Sequence, residues 1–412
     1  MQFYLQFAYN MQVICCELVK EWGGGTVIMS PRDCKPPDEE NDKPCELEKH
    51  AASIRKSGGT IVIDPQFYVP DADHKTLTTH GYWPEEYDSV GFWKDGSDDY
   101  ADLVRKVGEL NERTESGAII VPGTLGQAVD DDWLGRQEKL IGEAVKHFTA
   151  GKELYATVAL SADAVKATDQ IHRVLAAAEG WKVQGIYLVC EHPENQYLVE
   201  QDAWLMNVLD LTAGFRLRGL KVIIGYANQQ MLVAACAKAT GIASGSHKMK
   251  RRFSPTDMMS KDDEDYTARQ TTWYYCPQAY SEFKLPRLDS ALLQKVLDKM
   301  RHPKELGVPY ADILFTGVQP TTLGFKLKLS FKHYLGCLRA QAEAASKFTF
   351  DQTVKDYKKS IDDAENLLKE LDAKRIRAED RSFLPVIDPT HVAVSMLEED
   401  RGAMLRRKWA KL

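Results

Sequence analysis

The sequence lacks the motifs that would reveal its chemistry at once. It contains no Walker motif, no dinucleotide-binding glycine fingerprint and no G-x-S-x-G nucleophile elbow. The glycine run Gly23–Gly25 precedes an apolar run instead of following one, so it predicts a helix stop and a turn, not a phosphate loop. These absences exclude the nucleotide-binding and hydrolase classes that such motifs define.

Long apolar runs are also missing, and none approaches the ~20 residues that a membrane-spanning helix needs. The first residues carry neither the basic lead nor the small-residue cleavage site of a signal peptide, so we expect a cytoplasmic protein. A content of 44% hydrophobic and 27% charged residues is typical of soluble globular chains. The net charge of -7 argues against a surface coated for duplex DNA and leaves room for a local basic patch.

The eight cysteines among 412 residues show no spaced disulfide framework. Cys190 and Cys236 lie inside apolar runs, which predicts reduced core residues. The acidic run Asp130–Asp132 could attract Mg²⁺, but consecutive side chains point in different directions and such runs usually solvate a loop. The sequence therefore predicts neither a metal site nor a cofactor.

Short apolar runs alternate with helical patterns along most of the chain. Seven of these runs predict strands: Thr26–Pro31, Thr60–Pro65, Ala118–Gly123, Leu154–Leu160, Val183–Cys190, Lys221–Ile224 and Gly241–Ala243. Thr272–Cys276 and Asp312–Thr316 compete for the place of an eighth strand. Hydrophobicity along the runs is continuous, as in parallel strands buried on both faces. The pattern favours a (β/α)8 TIM barrel, with a doubly wound α/β sheet as the second choice.

Several segments fall outside the strands. Gly225 ends one strand, and the apolar side chains after it predict a helix: Met231, Leu232, Ala235 and Ala239. Residues 35–49 and 69–99 interrupt the rhythm, and the aromatic residues of the second could stack on a flat ligand but are expected to pack the loop down.

The last part of the chain is predicted to be helical. The runs Val354–Arg377 and Val392–Leu412 read as charged helices, and Leu367, Leu368 and Leu371 make the first amphipathic. We therefore divide the chain into a barrel domain, residues 1–349, and a helical extension, residues 350–412. The extension is expected to dock on the barrel or on a protein partner.

Polar residues follow the predicted strand Gly241–Ala243, at the end of the barrel where such folds keep their chemistry. Ser244 comes first and His247 three residues later. Four basic residues come next and predict either phosphate contacts with a nucleic acid or a solvated charge run: Lys248, Lys250, Arg251 and Arg252. Glu191 and His192 end another predicted strand and are candidates for lining a pocket.

The order of the strand ends resembles that of the queuine tRNA-ribosyltransferase superfamily, the tRNA-guanine transglycosylases, over about residues 55 to 357. Ile61–Asp64 followed by Phe67 resembles the family's strand that ends in an aspartate, and Gly185–Val189 resembles its glycine-rich fifth strand. Two later matches are Val222–Leu232, similar to "YLMGVGTPEDLL", and Phe331–Leu338 through Lys347 and Phe348, similar to "HFYLRLM" and "GRF".

In that family an aspartate attacks the glycosidic bond of a guanine, and a 7-deazaguanine base resolves the covalent ribosyl-enzyme. The logic is that of two separated carboxylates, as in retaining glycosidases. The resemblance places Asp64 as the residue that handles protons and holds the base, with Phe67 or Tyr68 stacked on it. Gly225 and Tyr226 are further binding candidates, and so are His192, from its place at a strand end, and His247.

The resemblance is incomplete at the nucleophile. Ser244 stands where the family has its attacking aspartate, with His247 as a candidate base and Glu191 as a further catalytic candidate. Ala159 stands where a base-reading glutamine is expected. Cys276 alone remains of the family's C-x-C-x-x-C zinc motif, so no structural zinc is predicted.

Two functions follow. In the first, the chain is a nucleobase-exchanging glycosyltransferase that acts on guanine or a 7-deazaguanine carried by tRNA, DNA or another macromolecule. Distant relatives of the family modify DNA or sit in phage-defence operons, which suggests an antiviral setting. In the second, it is a catalytically silent barrel that binds a modified base or a protein partner, like the non-catalytic subunit of the eukaryotic transglycosylase.

Overall fold

The computed structural model describes residues 1–36, 45–74, 76–148, 151–259 and 271–412. Within these residues, eight parallel strands and a two-residue strand, β5, form one sheet: β1 Gln2–Gln6, β2 Thr26–Met29, β3 Thr60–Ile63, β4 Ala118–Val121, β5 Leu125–Gly126, β6 Glu153–Leu160, β7 Gly185–Cys190, β8 Lys221–Ile224 and β9 Gly241–Ser244. β1 pairs with both β2 and β9, and β4 pairs with both β3 and β6, so the sheet closes on itself. β5 only lengthens the edge of β6. The fold is a TIM barrel.

The seven strands that the sequence predicts are present, but the predicted eighth strand is wrong. The missing strand is β1, at the start of the chain, and it joins β2 to β9. Trp273–Cys276, here β10, instead pairs antiparallel with β11, Ser281–Lys284, outside the barrel. Residues Pro309–Phe315 form a 3-10 helix. β1 escapes sequence reasoning because polar Gln2 and Gln6 bracket only three apolar residues.

Helices surround the strands and continue past them: α1 Gln12–Glu21, α2 Glu46–Lys56, α3 Asp99–Arg113, α4 Asp131–His147, α5 Ala162–Lys166, α6 Thr168–Ala177, α7 Asp202–Leu217, α8 Leu285–Leu293, α9 Leu327–Ala345, α10 Phe350–Ala373, α11 Ile387–Asp400 and α12 Gly402–Lys408. No helix among the described residues is long and apolar enough to cross a membrane.

The helix predicted after β8 is a short 3-10 helix instead, Gln229–Ala235, and it is buried on every side. The Asn228 side chain caps it by accepting from the Gln230 backbone N–H at 2.8 Å. α9 packs over this segment and over β1 and β9, so it takes the place in the outer layer that the predicted helix would fill.

The helical extension lies against the barrel. α11 and α12 pack on α7, and Arg401 of the extension forms a bidentate ion pair with Asp210 of α7, at 2.6 and 3.1 Å. α7 is therefore apolar on nearly all sides, as a helix held between two layers must be.

The barrel interior is rich in tyrosine. Aliphatic side chains dominate the interior of most such barrels, whereas here Tyr4, Tyr155, Tyr187 and Tyr226 point inward with Val62. Phenol rings fill the space and bring hydroxyl groups into it, and each buried hydroxyl needs a partner. The barrel interior is consequently polar at the mouth, the end where the parallel strands finish.

Candidate functional site at the barrel mouth

Asp64 follows β3 directly and lies inside the barrel, where its carboxylate accepts four hydrogen bonds. Oδ1 accepts from the Tyr68 hydroxyl at 2.9 Å and from the Gln66 backbone N–H at 3.0 Å. Oδ2 accepts from the hydroxyls of Tyr226, at 3.0 Å, and Tyr187, at 3.4 Å. We call Asp64 and these three tyrosines the phenol cage.

Two glutamines orient the phenols. Gln66 Nε2 donates to the Tyr226 hydroxyl at 2.6 Å, and Gln6 Nε2 donates to the Tyr187 hydroxyl at 3.4 Å. The side-chain oxygen of Gln6, Oε1, also accepts from the Tyr226 backbone N–H at 2.9 Å. Since each of these phenols accepts a hydrogen bond from a glutamine, its own hydrogen is directed at Asp64.

The backbone around the cage is strained. Gln66 and Tyr226 have φ values of 53° and 52°, in the left-handed region that residues other than glycine rarely adopt. Gly225 precedes Tyr226, and a Cβ at this position would lie 2.6 Å from the Tyr187 hydroxyl oxygen. Strain of this kind gathers at functional sites, where the surrounding structure holds it in place.

Burial raises the pKa of Asp64, although the hydrogen bonds from Tyr68 and Gln66 and the positive charge of Lys250 oppose the shift. Lys250 is itself buried and pairs with Asp33 at 2.6 Å between the carboxylate oxygen and Nζ. Its Nζ lies 5.9 Å from the centre of the Tyr226 ring. The cage therefore has a cation nearby that does not touch the carboxylate.

The cage is closed in this structure. The Phe253 ring lies 5.1 Å from the Tyr68 ring and 5.3 Å from the Tyr226 ring, measured between centroids. Asp64 is only 1% exposed. A ligand can therefore reach its carboxylate only if side chains that cover it move.

Phe67 lies away from the cage, on the outer side of the barrel wall. Its ring contacts Trp83, Tyr87 and Phe92 of the segment 69–99, at centroid distances of 5.1, 5.9 and 5.9 Å. These aromatic residues pack the loop onto the protein. Of the two stacking candidates, only Tyr68 faces Asp64.

Glu191 and His192 follow β7 and make structural contacts. Glu191 Oε2 accepts from the Ala162 backbone N–H, at the start of α5, at 3.0 Å. His192 Nδ1 accepts from the Phe253 N–H at 3.2 Å, and its ring packs on Trp204 at 5.3 Å. Burial lowers the pKa of His192 to about 3. Among the described residues, neither side chain forms a hydrogen bond with Asp64.

Ser244 points out of the barrel. Along β9, Ala243 belongs to the interior cluster and Ile242 to the outer core, so strand alternation puts Ser244 on the outer face. It is fully buried there, beside Tyr334 of α9. Its hydroxyl cannot reach a ligand in the interior, which removes the geometry that a nucleophile at this position needs. His247 lies elsewhere, with its ring 5.5 Å from Phe331.

The basic residues of the loop have carboxylate partners. Lys250 pairs with Asp33, Arg252 with Asp257 at 3.2 Å, and Lys248 with Asp380 at 3.8 Å. Lys250 is buried, whereas the Lys248 side chain is 40% exposed. The loop therefore offers fewer free cations to phosphate than its sequence suggests.

The fourth basic residue, Arg251, is held most tightly. Glu282 Oε2 accepts from both Arg251 and Arg381 at 2.9 Å, while Tyr197 donates to Oε1 at 2.8 Å. The Arg251 guanidinium carbon lies 3.4 Å from the centre of the Tyr334 ring. Arg381 comes from the link between α10 and α11, so the extension is tied to the basic loop.

Cys276, the cysteine considered as a zinc ligand in the sequence analysis, is part of the core. Cys276 is buried with its Sγ 3.5 Å from the Met300 carbonyl oxygen. Within the described parts of the chain, no group of three or more His, Cys, Asp or Glu side chains is arranged to hold a metal.

An open cavity of about 970 Å³ lies beside the mouth, and we call it the rim cavity. Its walls come from the start of α1, the 3-10 helix Pro31–Asp33, the loop after β9 and the start of α9. None of the four cage residues lines it, but His247 does. The mouth thus offers a closed polar site and an open one next to it.

The sequence analysis did not identify Tyr187 of the phenol cage or Gln6 and Gln66, which orient its tyrosines. It also missed Arg32 and Asp33, which line the rim cavity. Tyr187 could have been found, since it alternates with apolar residues along β7 and therefore faces the same side as Gly185 and Val189. The others carry no pattern that separates them from ordinary surface residues.

No protein-family model and no curated protein matches the sequence. Among solved structures, the chain is similar to the 3-dehydroquinate dehydratase from Aquifex aeolicus VF5, with 13% identity and a TM-score of 0.32, over 62% of this chain and 92% of that one. It is also similar to a thermostable mutant of a xylanase (Xyn10A) from Cellvibrio japonicus, with 9% identity and a TM-score of 0.36, over 59% and 85% of the two chains. The fold assignment rests on the strand order itself.

Proposed function

We propose that this protein binds a guanine or 7-deazaguanine base, carried by tRNA, DNA or another macromolecule, in the phenol cage, and that it does not transfer the base. The observation that carries the proposal is the buried carboxylate of Asp64 at the end of β3, with Tyr68 as its cover. The resemblance to tRNA-guanine transglycosylases, and with it a setting in antiviral defence, is part of the proposal.

Asp64 suits a guanine-type base for a chemical reason. Such a base presents two adjacent donors, the ring N–H and the exocyclic amino group, which match the two oxygens of a carboxylate. In the free protein the donors are phenols, on Oδ1 from Tyr68 and on Oδ2 from Tyr226. Base binding would exchange phenol donors for base donors, with Tyr68 rotating to stack on the ring, so that no buried acceptor is left unpaired.

Binding is favoured over transfer by the rest of the mouth. Double displacement at an anomeric carbon needs an attacking carboxylate and a second one for proton transfer. Ser244 faces outward, and the Glu191 carboxylate is engaged by a backbone N–H. Of Asp64, Ser244 and Glu191, Asp64 is the one whose side chain accepts hydrogen bonds from tyrosines of the barrel interior.

Calorimetric titration tests the proposal. Guanine and 7-deazaguanine should bind, whereas adenine, which presents an acceptor where guanine has its ring N–H, should not. Asp64→Asn should abolish binding, because an amide can offer only one acceptor oxygen. Glu191→Gln is the matched control, since its side-chain oxygen can still accept from Ala162 and binding should persist. Equal affinity of Asp64→Asn and wild type would refute the base site.

The other function, an active glycosyltransferase, is supported by the upward shift that burial gives the pKa of Asp64, a property of general acids. It predicts a covalent conjugate when the protein is mixed with guanine-containing tRNA or DNA and quenched in denaturant. We expect no conjugate by mass spectrometry. A conjugate on any side chain would replace binding with catalysis as the function.

A further inference from the structure

The rim cavity is apolar over most of its wall and unusually rich in methionine. Four methionines line it: Met11, Met249, Met258 and Met259. Phe331, Leu77, Val13 and Ile14 add to the apolar part. Methionine side chains are flexible and polarisable, so such a wall adapts to an apolar ligand of variable shape. At about 970 Å³ the cavity is at the upper end of the range for small-molecule sites.

Arg32 lies on this wall without a carboxylate partner among the described residues. The Arg32 guanidinium contacts the Met258 sulfur at 3.4 Å, and across the described ranges no carboxylate pairs with it. Asp33 also lines the cavity, but its charge is taken by Lys250 at 2.6 Å. Lys328 lines it too and is paired with Glu17 at 2.5 Å.

His74 also lines the cavity and is held in place by two backbone carbonyl oxygens. Its Nδ1 lies 3.0 Å from that of Met258 and its Nε2 lies 2.6 Å from that of Val69.

We propose that the rim cavity binds an anionic amphiphile: a flexible apolar chain that lies against the methionines and ends in a carboxylate or phosphate paired with Arg32. The site is separate from the phenol cage and does not depend on the base-binding proposal. An arginine fork matches the geometry of either anion and gains strength where apolar walls exclude water.

Isothermal titration of the whole protein with decanoate, decyl phosphate and decanol tests the site. The anions should bind more tightly than decanol, and the tighter of the two identifies the head group. Arg32→Gln should weaken the binding of the preferred anion about tenfold or more, because a charge-assisted pair is lost. The same substitution should leave decanol binding unchanged.

Lys328→Gln is the matched control, since it removes a cation of the same cavity that Glu17 already neutralises. It should change the affinity for the anion less than threefold. Phe331→Ala, which shortens the apolar wall, should weaken all three probes alike. The proposal is overturned if neither anion binds more tightly than decanol, or if Arg32→Gln and Lys328→Gln have equal effects.

Discussion

Removing the charge of Glu282 should destabilise the fold more than removing the charge of most other carboxylates in this chain. Its carboxylate is 2% exposed and accepts from Arg251, Arg381 and Tyr197. Glu282→Gln keeps the shape and one acceptor oxygen but removes the charge, which leaves Arg251 buried without compensation. Breaking a buried pair in this way costs about 3–5 kcal/mol.

The measurement is the free energy of unfolding from urea titration at pH 7. Glu379→Gln is the control, because Glu379 also pairs with two cations, Lys284 and Arg287, but its side chain is 32% exposed. Such surface pairs contribute about 0–1 kcal/mol. A loss below about 1 kcal/mol for Glu282→Gln, or one equal to that of Glu379→Gln, would refute the idea that this network holds the basic loop.

The same experiment has a pH signature. Burial alone would raise the pKa of Glu282, but Arg251 and Arg381 outweigh it and the net shift is downward. A carboxylate whose pKa is lower in the folded than in the unfolded protein stabilises the fold at pH values above its ordinary pKa of 4.5. This stabilisation is lost as the pH falls through the pKa of the folded state. The gap between wild type and Glu282→Gln should therefore shrink at acid pH.

Two other substitutions test the packing and titration of the mouth. Gly225→Ala should lower the free energy of unfolding in urea by about 1–3 kcal/mol, because its Cβ would meet the Tyr187 hydroxyl. Gly142→Ala on α4, where a Cβ would have nothing within 4 Å, should raise it by about 0.5–1 kcal/mol. Equal effects would contradict the close approach at Gly225. His192 has a pKa of about 3, against an ordinary 6.5, so wild-type stability should fall as the pH drops below 6.5. His192→Asn should flatten that slope by up to about 1.4 kcal/mol per pH unit, and an unchanged slope would show that the ring is not buried neutral.

The strands could be predicted because each is a continuous apolar run, as Thr60–Ile63 is, and the end of such a run marks the barrel mouth. This is why Asp64 could be expected to face the mouth, whereas the role proposed for it came from the family resemblance. β1 could not, because its five residues carry two glutamines whose role is to hold tyrosines of distant strands.

The hydrogen-bond partners of Asp64 could not be predicted from the sequence, for a related reason. Asp64 meets Tyr187 and Tyr226 across 123 and 162 residues of chain, and no local periodicity records such a contact. The basic loop looked solvent-facing because most of its counter-ions lie far away in sequence: Glu282 follows Arg251 by 31 residues, and the partners of Lys248 and Lys250 are Asp380 and Asp33. Charge alone does not tell whether a cation is free or paired.

The most direct test of the central claim is a crystal structure of the protein soaked with 7-deazaguanine. We expect the base in the barrel mouth, with its ring N–H and amino group donating to the two oxygens of Asp64. Tyr68 should be displaced from Oδ1 and stacked on the ring, and Ser244 should remain on the outer face. An unchanged phenol cage at saturating base, or base density bound away from Asp64, would contradict it.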